Sequence, residues 1–194
     1  MRTLYKVLCL FTLAFSNELA LDAKMPGQSL NLLNTNGTLS SLGDLKGDIG
    51  TLVIFSCNTC PWVIRWEDRY VQIAKKYTSK GINLIAVNSN SARFNGVDSI
   101  EEMKKHSKEK KYNFPYVQDL NSDLARVFGA TKTPHVYLFN QSDRLVFRGA
   151  IDDNAKDPNQ IEQSYLSNAL DQMLSGRNIE KPISKAMGCS IKFN

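Results

Sequence analysis

The residues of this chain best suited to chemistry are two cysteines two residues apart, Cys57 and Cys60, in the stretch Phe55-Ser56-Cys57-Asn58-Thr59-Cys60-Pro61-Trp62. Such a pair can cycle between dithiol and disulfide. One thiolate attacks a substrate disulfide, and the second thiol resolves the mixed disulfide that forms. The same spacing can also be half of a zinc site, or two inert core cysteines. Zinc needs two more ligands, and the chain offers only His106, His135, Cys189 and Cys9, none paired at finger or ribbon spacing. No metal site is therefore expected. Inert core pairs rarely fall between a strand and a proline-opened helix, and that is where this pair falls.

The run Thr51-Leu52-Val53-Ile54-Phe55 that leads into the pair is apolar and rich in β-branched residues, which predicts a buried strand. Beyond Cys60, apolar residues recur at Val63, Trp66, Tyr70, Ile73, Ala74 and Tyr77, the spacing of a helix face, and Pro61 suits a first turn. The unpaired N–H groups and positive dipole end of that helix favour a thiolate, so the first cysteine is expected to have a lowered pKa.

Around this centre the chain alternates elements. Gln28-Ser29-Leu30-Asn31-Leu32 and the turn signal Asn36-Gly37 predict a short N-terminal hairpin. The helix after Cys60 closes near Lys80-Gly81, and Ile82 to Asn88 reads as a second buried strand, parallel to the first. Ser99-Ile100-Glu101-Glu102 has the form of a capping box, with Ile100 and Met103 turned inward. The basic run from His106 to Lys111 reads as that helix's solvated end. A short extended piece at Phe114-Pro115-Tyr116-Val117 follows, then a small helix marked by Leu124, Val127 and Phe128 and ended by Gly129. Thr133-Pro134 precedes the strand His135 to Phe139, a place where proline is often cis. Arg144 to Phe147 and Arg148 return as its antiparallel partner, and Ile161, Tyr165, Leu166, Ala169, Leu170, Met173 and Leu174 predict a last helix. The whole is an α/β protein with a central mixed sheet flanked by helices.

Residues 1–16 differ from the rest. Arg2 and Lys6 precede an apolar run from Val7 to Phe15, and Ala14-Phe15-Ser16 puts small residues at −3 and −1 of a cleavage site. This is the layout of a signal peptide, too short to span a bilayer. The expected organisation is a signal at 1–16 and one domain at 17–194, exported to a periplasm or secreted, with no stable membrane anchor after cleavage. Cys9 leaves with the signal, so three of the four cysteines remain, an odd number that is no structural disulfide framework. The formal net charge is +5, and losing Arg2 and Lys6 lowers it to +3, too little and too scattered for nucleic-acid binding.

The element order, the Cys-x-x-Cys and the Thr-Pro before a core strand resemble the thioredoxin fold. More narrowly, the chain resembles the peroxiredoxin-like redoxins of the AhpC/TSA group. The stretches that carry this are Phe55 to Trp62, Ala86-Val87-Asn88-Ser89-Asn90, Phe114-Pro115-Tyr116, Thr133-Pro134-His135, Phe147-Arg148-Gly149-Ala150-Ile151-Asp152-Asp153-Asn154 and Gly188-Cys189-Ser190-Ile191-Lys192-Phe193, across about residues 25–194. The resemblance implies that Cys57 is the attacking thiol, exposed at the helix start, and Cys60 the resolving one. It implies that Thr133 and Pro134 form a cis-proline loop whose backbone pairs with an extended substrate. Two departures stand out. Peroxidases of the group carry proline and threonine seven and three residues before the attacking cysteine, where this chain has Gly50 and Ile54. Thioredoxins carry a buried acid six residues before it, where this chain has Thr51.

Further expectations attach to single residues. His135 either tunes the dithiol or is a polar residue at a strand's start. Arg148 either stabilises a thiolate or peroxide oxygen, or pairs with Asp152 or Asp153. Cys189 is either an alternative resolving thiol or a free thiol in a packed tail, and Arg65 and Arg69 line the outer face of the first long helix. The expected activity is thiol–disulfide exchange on protein or small-molecule disulfides, recycled by an external thiol donor and needing no cofactor. A peroxidase in which Cys57 becomes a sulfenic acid and Cys60 or Cys189 condenses with it is the alternative, and a copper(I)-delivery module using the dithiol and His135 is a second.

Overall fold

A computed structural model describes residues 18–194. The signal-peptide expectation at 1–16, and Cys9 with it, lie outside the described residues. Strands β1 (Leu32–Asn34) and β2 (Leu39–Ser40) form the N-terminal hairpin, followed by a single-turn helix α1 (Leu42–Leu45). Then come β3 (Gly50–Ser56), α2 (Pro61–Tyr77), β4 (Ile82–Asn88), α3 (Ile100–Glu109), β5 (Tyr116–Gln118), α4 (Asp123–Phe128), β6 (Lys132–Thr133), β7 (His135–Asn140), β8 (Leu145–Gly149), α5 (Tyr165–Leu174) and β9 (Cys189–Ser190).

Among the described residues, seven strands make one sheet in the order β2-β1-β5-β4-β3-β7-β8. β3, β4 and β5 are parallel, joined through α2 and α3, while β7, β8, β1 and β2 are antiparallel additions. Parallel central strands are covered on both faces, so they read as near-continuous apolar runs, and every residue of β3 is buried. The two-residue period of a strand sorts these side chains between two cores. Leu52, Ile54, Leu84, Ala86, Val136 and Leu138 face α2, α3 and α5. Val53, Phe55, Ile85, Val87, Tyr137 and Phe139 face α4, the N-terminal segment and the C-terminal tail.

Helix α2 owes its length to a stripe of Val63, Trp66, Tyr70, Ile73, Ala74 and Tyr77, all buried, with Pro61 in its first turn and Lys75 and Lys76 in its last. Each large side chain removed from water contributes about 1.5–3 kcal/mol, which fixes the helix, and so its N-terminus, against β3. The helix passes into a short 3-10 turn that Gly81 closes at a φ of +79°, a left-handed conformation natural to glycine.

Several local expectations change. Ser99 caps α3 by accepting the Glu102 N–H, but no reciprocal bond from Glu102 completes a box. Val127 faces outward from α4, and Ile161 lies before α5 rather than in it. The run from His106 to Lys111 is not simply solvated. His106 Nε2 lies 2.7 Å and Lys110 Nζ 2.6 Å from the carboxylate of Glu67, a fully buried residue of α2. The cations go inward because an acid waits there. Arg69 likewise turns in, to pair with buried Asp152, which also accepts from Trp66 Nε1 at 2.9 Å. Arg65 stays exposed and lies over the Trp62 ring.

Candidate redox site

β3 ends at Ser56 and α2 begins at Pro61, so the four residues from Cys57 to Cys60 bridge the C-terminal edge of the sheet to a helix N-terminus. Cys60 is the N-cap residue, and Cys57 lies one reverse turn earlier. Both cysteines are free thiols and both are buried, 3% and 4% exposed. The expectation that Cys57 is exposed is thus corrected: the 133–134 loop and the C-terminal tail pack over it.

Thr133 holds both sulfurs. Its hydroxyl Oγ1 is 3.4 Å from Cys57 Sγ, and its carbonyl accepts from the Cys60 thiol at 3.1 Å. The Thr133–Pro134 peptide is cis, as the position of that proline suggests. β3 and β7 pair side by side, with Phe55 opposite His135, and this brings the 133–134 loop against the dithiol.

The two thiols influence each other's titration. A hydrogen bond from Cys57 is the largest influence on Cys60 and drops it to about 4 against the cost of burial, with help from Cys189 and the Val63 N–H of the first turn of α2. The same bond pushes Cys57 up, as do burial and the negative charge of Asp98, while the Thr133 hydroxyl opposes them. The two shifts run in opposite directions, down at Cys60 and up at Cys57. The lowering expected of the first cysteine thus falls on the second. Cys60 is the N-cap residue but makes no side-chain cap hydrogen bond, so the neighbouring Cys57 outweighs the helix N–H groups in this lowering.

Asp98 was not singled out by sequence, and it organises the near side of the loop. Fully buried, it accepts from the Asn58 backbone N–H, from Asn88 Nδ2 and from Asn90 Nδ2, each at 2.9 Å. Asn58 in turn accepts from the Tyr116 hydroxyl at 2.9 Å and donates to the Val97 carbonyl at 2.8 Å. A lone Asp in a stretch such as Asn95-Gly96-Val97-Asp98 gives no pattern to read; the polar Asn88-Ser89-Asn90 after an apolar strand was the available signal.

The remaining singled-out residues divide. Cys189 is brought to the dithiol: it lies opposite Thr133 in the β6–β9 pair, and its thiol neighbours that of Cys60. His135 is buried beside Tyr137, whose hydroxyl is 3.2 Å from its Nδ1. Burial and nearby Lys132 lower its pKa to about 4, so it is neutral near pH 7 and offers the dithiol no positive charge. Arg148 pairs with neither Asp152 nor Asp153 but with Glu18, and it lines a separate cavity with Lys132, Lys181 and Lys185. Among the described residues, no three His, Cys, Asp or Glu side chains gather as a metal site requires, and no helix is long and apolar enough to cross a membrane.

A cavity of about 240 Å³ opens on the dithiol, lined by Cys57, Cys60, Thr133 and Cys189 with Arg93 and Lys192 among its polar neighbours.

The chain is similar over its length to an uncharacterised conserved protein from Geobacillus kaustophilus, with 35% identity, a TM-score of 0.83, and 92% of this chain covering 94% of that one. A hypothetical protein from Sinorhizobium meliloti 1021 is 28% identical with the same TM-score, 92% of this chain covering 97% of that one. A putative thiol:disulfide interchange protein DsbE from Chlorobium tepidum shares the fold, with a TM-score of 0.63 at 18% identity, 81% of this chain covering 99% of that one. No curated protein matches the chain. The model of the AhpC/TSA family matches residues 20–148, which span the dithiol, the cis-proline loop and six of the seven sheet strands in full. The chain belongs to the AhpC/TSA family, thioredoxin-like redox proteins.

Proposed function

We propose that the protein is an exported thiol–disulfide oxidoreductase working through Cys57 and Cys60. The observation that carries this is Thr133 gripping both sulfurs, by hydroxyl and by carbonyl, at the start of α2. Two free thiols two residues apart suit exchange between dithiol and disulfide.

In the proposed cycle Cys57 gives its proton to solvent and, as thiolate, attacks one sulfur of a substrate disulfide. The other substrate sulfur leaves as a thiolate and is protonated by solvent. Cys60 then gives up its proton and attacks Cys57 Sγ, releasing the second substrate thiol and leaving a Cys57–Cys60 disulfide. An external dithiol reduces it. Export rests on the basic and apolar pattern of residues 1–16, and N-terminal sequencing of the protein from its own host tests it, with Asn17 the expected first residue.

One observation favours a second reading, peroxide reduction. The Thr133 hydroxyl reaches Cys57 from across the site and can supply the hydrogen bond for which Ile54 has no group. Parallel assays separate the two. Stopped-flow oxidation of the reduced protein by hydrogen peroxide is set beside reduction of a model disulfide, each with Cys57→Ser and Cys60→Ser. Brisk disulfide exchange lost in both variants, with sluggish peroxide chemistry, supports the oxidoreductase. Fast peroxide consumption lost only in Cys57→Ser overturns it in favour of the peroxidase.

A further inference from the structure

The C-terminal tail occupies the edge at which a substrate strand would add. β9 pairs antiparallel with β6, Lys132 opposite Ser190 and Thr133 opposite Cys189. Added strands bind a free sheet edge through main-chain hydrogen bonds, and this edge is taken by the chain's own residues 189–190. The approach is close enough to exclude a side chain before the cysteine: a Cβ on Gly188 would stand 2.1 Å from the Thr133 carbonyl oxygen.

The seating is firm on the far side. Ile191 is buried, its N–H donates to the Thr131 carbonyl at 2.9 Å, and the Lys192 N–H donates to Asn90 Oδ1 at 2.9 Å. Asn194 N–H donates to Ser91 Oγ at 3.0 Å. A cysteine is thereby held in the position of a bound substrate's cysteine. Cys60 is the middle sulfur of three. It neighbours both Cys57 and Cys189, and all three line the same cavity. Cys189 is also the least buried of the three.

Building on the proposed Cys57–Cys60 chemistry, we infer that Cys189 is a third redox thiol, an internal substrate that takes the disulfide from the Cys57–Cys60 pair. Cys189, as thiolate, attacks Cys60 Sγ. The Cys60–Cys189 bond forms as the Cys57–Cys60 bond breaks, and Cys57 leaves with the electron pair and takes up the proton that Cys189 gave to solvent. No oxidant or reductant is consumed, because the step moves one disulfide between partners. It returns Cys57 to the thiol state and carries the oxidising equivalent to the rim, where a bulky dithiol reductant can meet it without unseating the tail.

The test uses the full chain with Cys9→Ser, so that three thiols remain. The protein is oxidised with one equivalent of diamide, quenched with an alkylating agent, and its disulfides mapped by mass spectrometry. The expected result is both Cys57–Cys60 and Cys60–Cys189 linkages, and a Cys60–Cys189 linkage in Cys57→Ser. Gly188→Ala, which unseats the tail from Thr133, is expected to abolish the Cys60–Cys189 linkage in Cys57→Ser while the three-thiol protein still forms Cys57–Cys60. Cys189→Ser is expected to slow reduction of the oxidised protein by a protein dithiol about tenfold, with little change for dithiothreitol. Two free thiols persisting in oxidised Cys57→Ser, with Cys57–Cys60 formed in the parent, would overturn the inference and leave the dithiol reading standing. Failure of the parent to form Cys57–Cys60 would instead sink the dithiol reading.

Discussion

Replacing Thr133 by valine is the most discriminating test of how the site governs Cys57. Valine matches threonine in shape, and the position is buried against a strand that keeps its backbone bonds, so the fold should survive. The carbonyl that accepts from Cys60 also stays. What is lost is one hydroxyl 3.4 Å from Cys57 Sγ, the partner that favours the Cys57 thiolate. A hydrogen bond to a charged group is worth about 1.5–3 kcal/mol. At about 1.4 kcal/mol per factor of ten, the thiolate population falls roughly ten- to a hundred-fold. The remaining thiolate is more basic and so more nucleophilic, and with a Brønsted coefficient near ~0.5 that recovers about half the logarithm. The net rate at neutral pH should therefore fall only about three- to ten-fold, while the pH at which the rate levels off moves up.

The assay is alkylation by iodoacetamide across pH, in a full chain whose Cys9, Cys60 and Cys189 are alanine, so that Cys57 alone reacts. Two quantities are read: the rate at pH 7 and the plateau at high pH. The reasoning requires the first to drop and the second to rise. A profile that keeps its midpoint would refute it, and would mean that the 3.4 Å contact carries no proton in the direction of the thiolate.

Other outcomes follow from the buried acids. Burial pushes the Glu67 carboxyl up, but hydrogen bonds from His106, Lys110 and Tyr112 outweigh it and leave it below its ordinary 4.5. Its contribution to stability is present above that ordinary value and is lost as pH falls through the lower folded one. Glu67→Gln should cost about 3 kcal/mol at pH 7, since one partner of a buried ion cluster is removed, and its urea midpoint should fall less than the parent's between pH 5 and pH 3; a parallel loss in both proteins would contradict this. Asp98→Asn should make Cys57 more acidic by removing a neighbouring negative charge, read as an alkylation profile shifted to lower pH, and should cost about 2–4 kcal/mol because Asn90 Nδ2 then faces an amide donor. Asp152→Ala orphans the buried Trp66 indole N–H and the Arg69 guanidinium, so thermal unfolding should report a loss of about 3 kcal/mol with disulfide exchange unchanged.

What could be read from sequence follows from how local each feature is. β3 and β4 were legible because a buried parallel strand is an unbroken apolar run, and α2 because seventeen residues of periodic pattern leave little doubt of type. The dithiol and the Thr-Pro loop were legible as short motifs. The partners of charged side chains were not, because they join residues far apart in the chain. Glu67 is what draws His106 and Lys110 inward, and Asp152 what turns Arg69 in. Neither pairing leaves a local trace. The burial of the dithiol was missed for the same reason: Thr133 and Cys189, which close over it, lie far from it in the chain.

The same nonlocality explains why the dithiol is buried although its loop is short. Three segments meet over it: the first turn of α2, the Thr133 loop, and a tail more than fifty residues further on. One hydrogen-bonded path ties the dithiol loop to the tail. Asn58, next to Cys57, donates its N–H to Asp98; Asp98 accepts from Asn90; and Asn90 accepts from Lys192, three residues past Cys189. Each link is buried or half-buried, where an unmade hydrogen bond costs about 1–3 kcal/mol, so the loop and the tail are held in one arrangement rather than several. A dithiol held this way shares the lining of one cavity with Cys189 of its own tail. In the exchange inferred above, the meeting of Cys189 with the pair is therefore set by the fold rather than by diffusion, because both belong to the same chain.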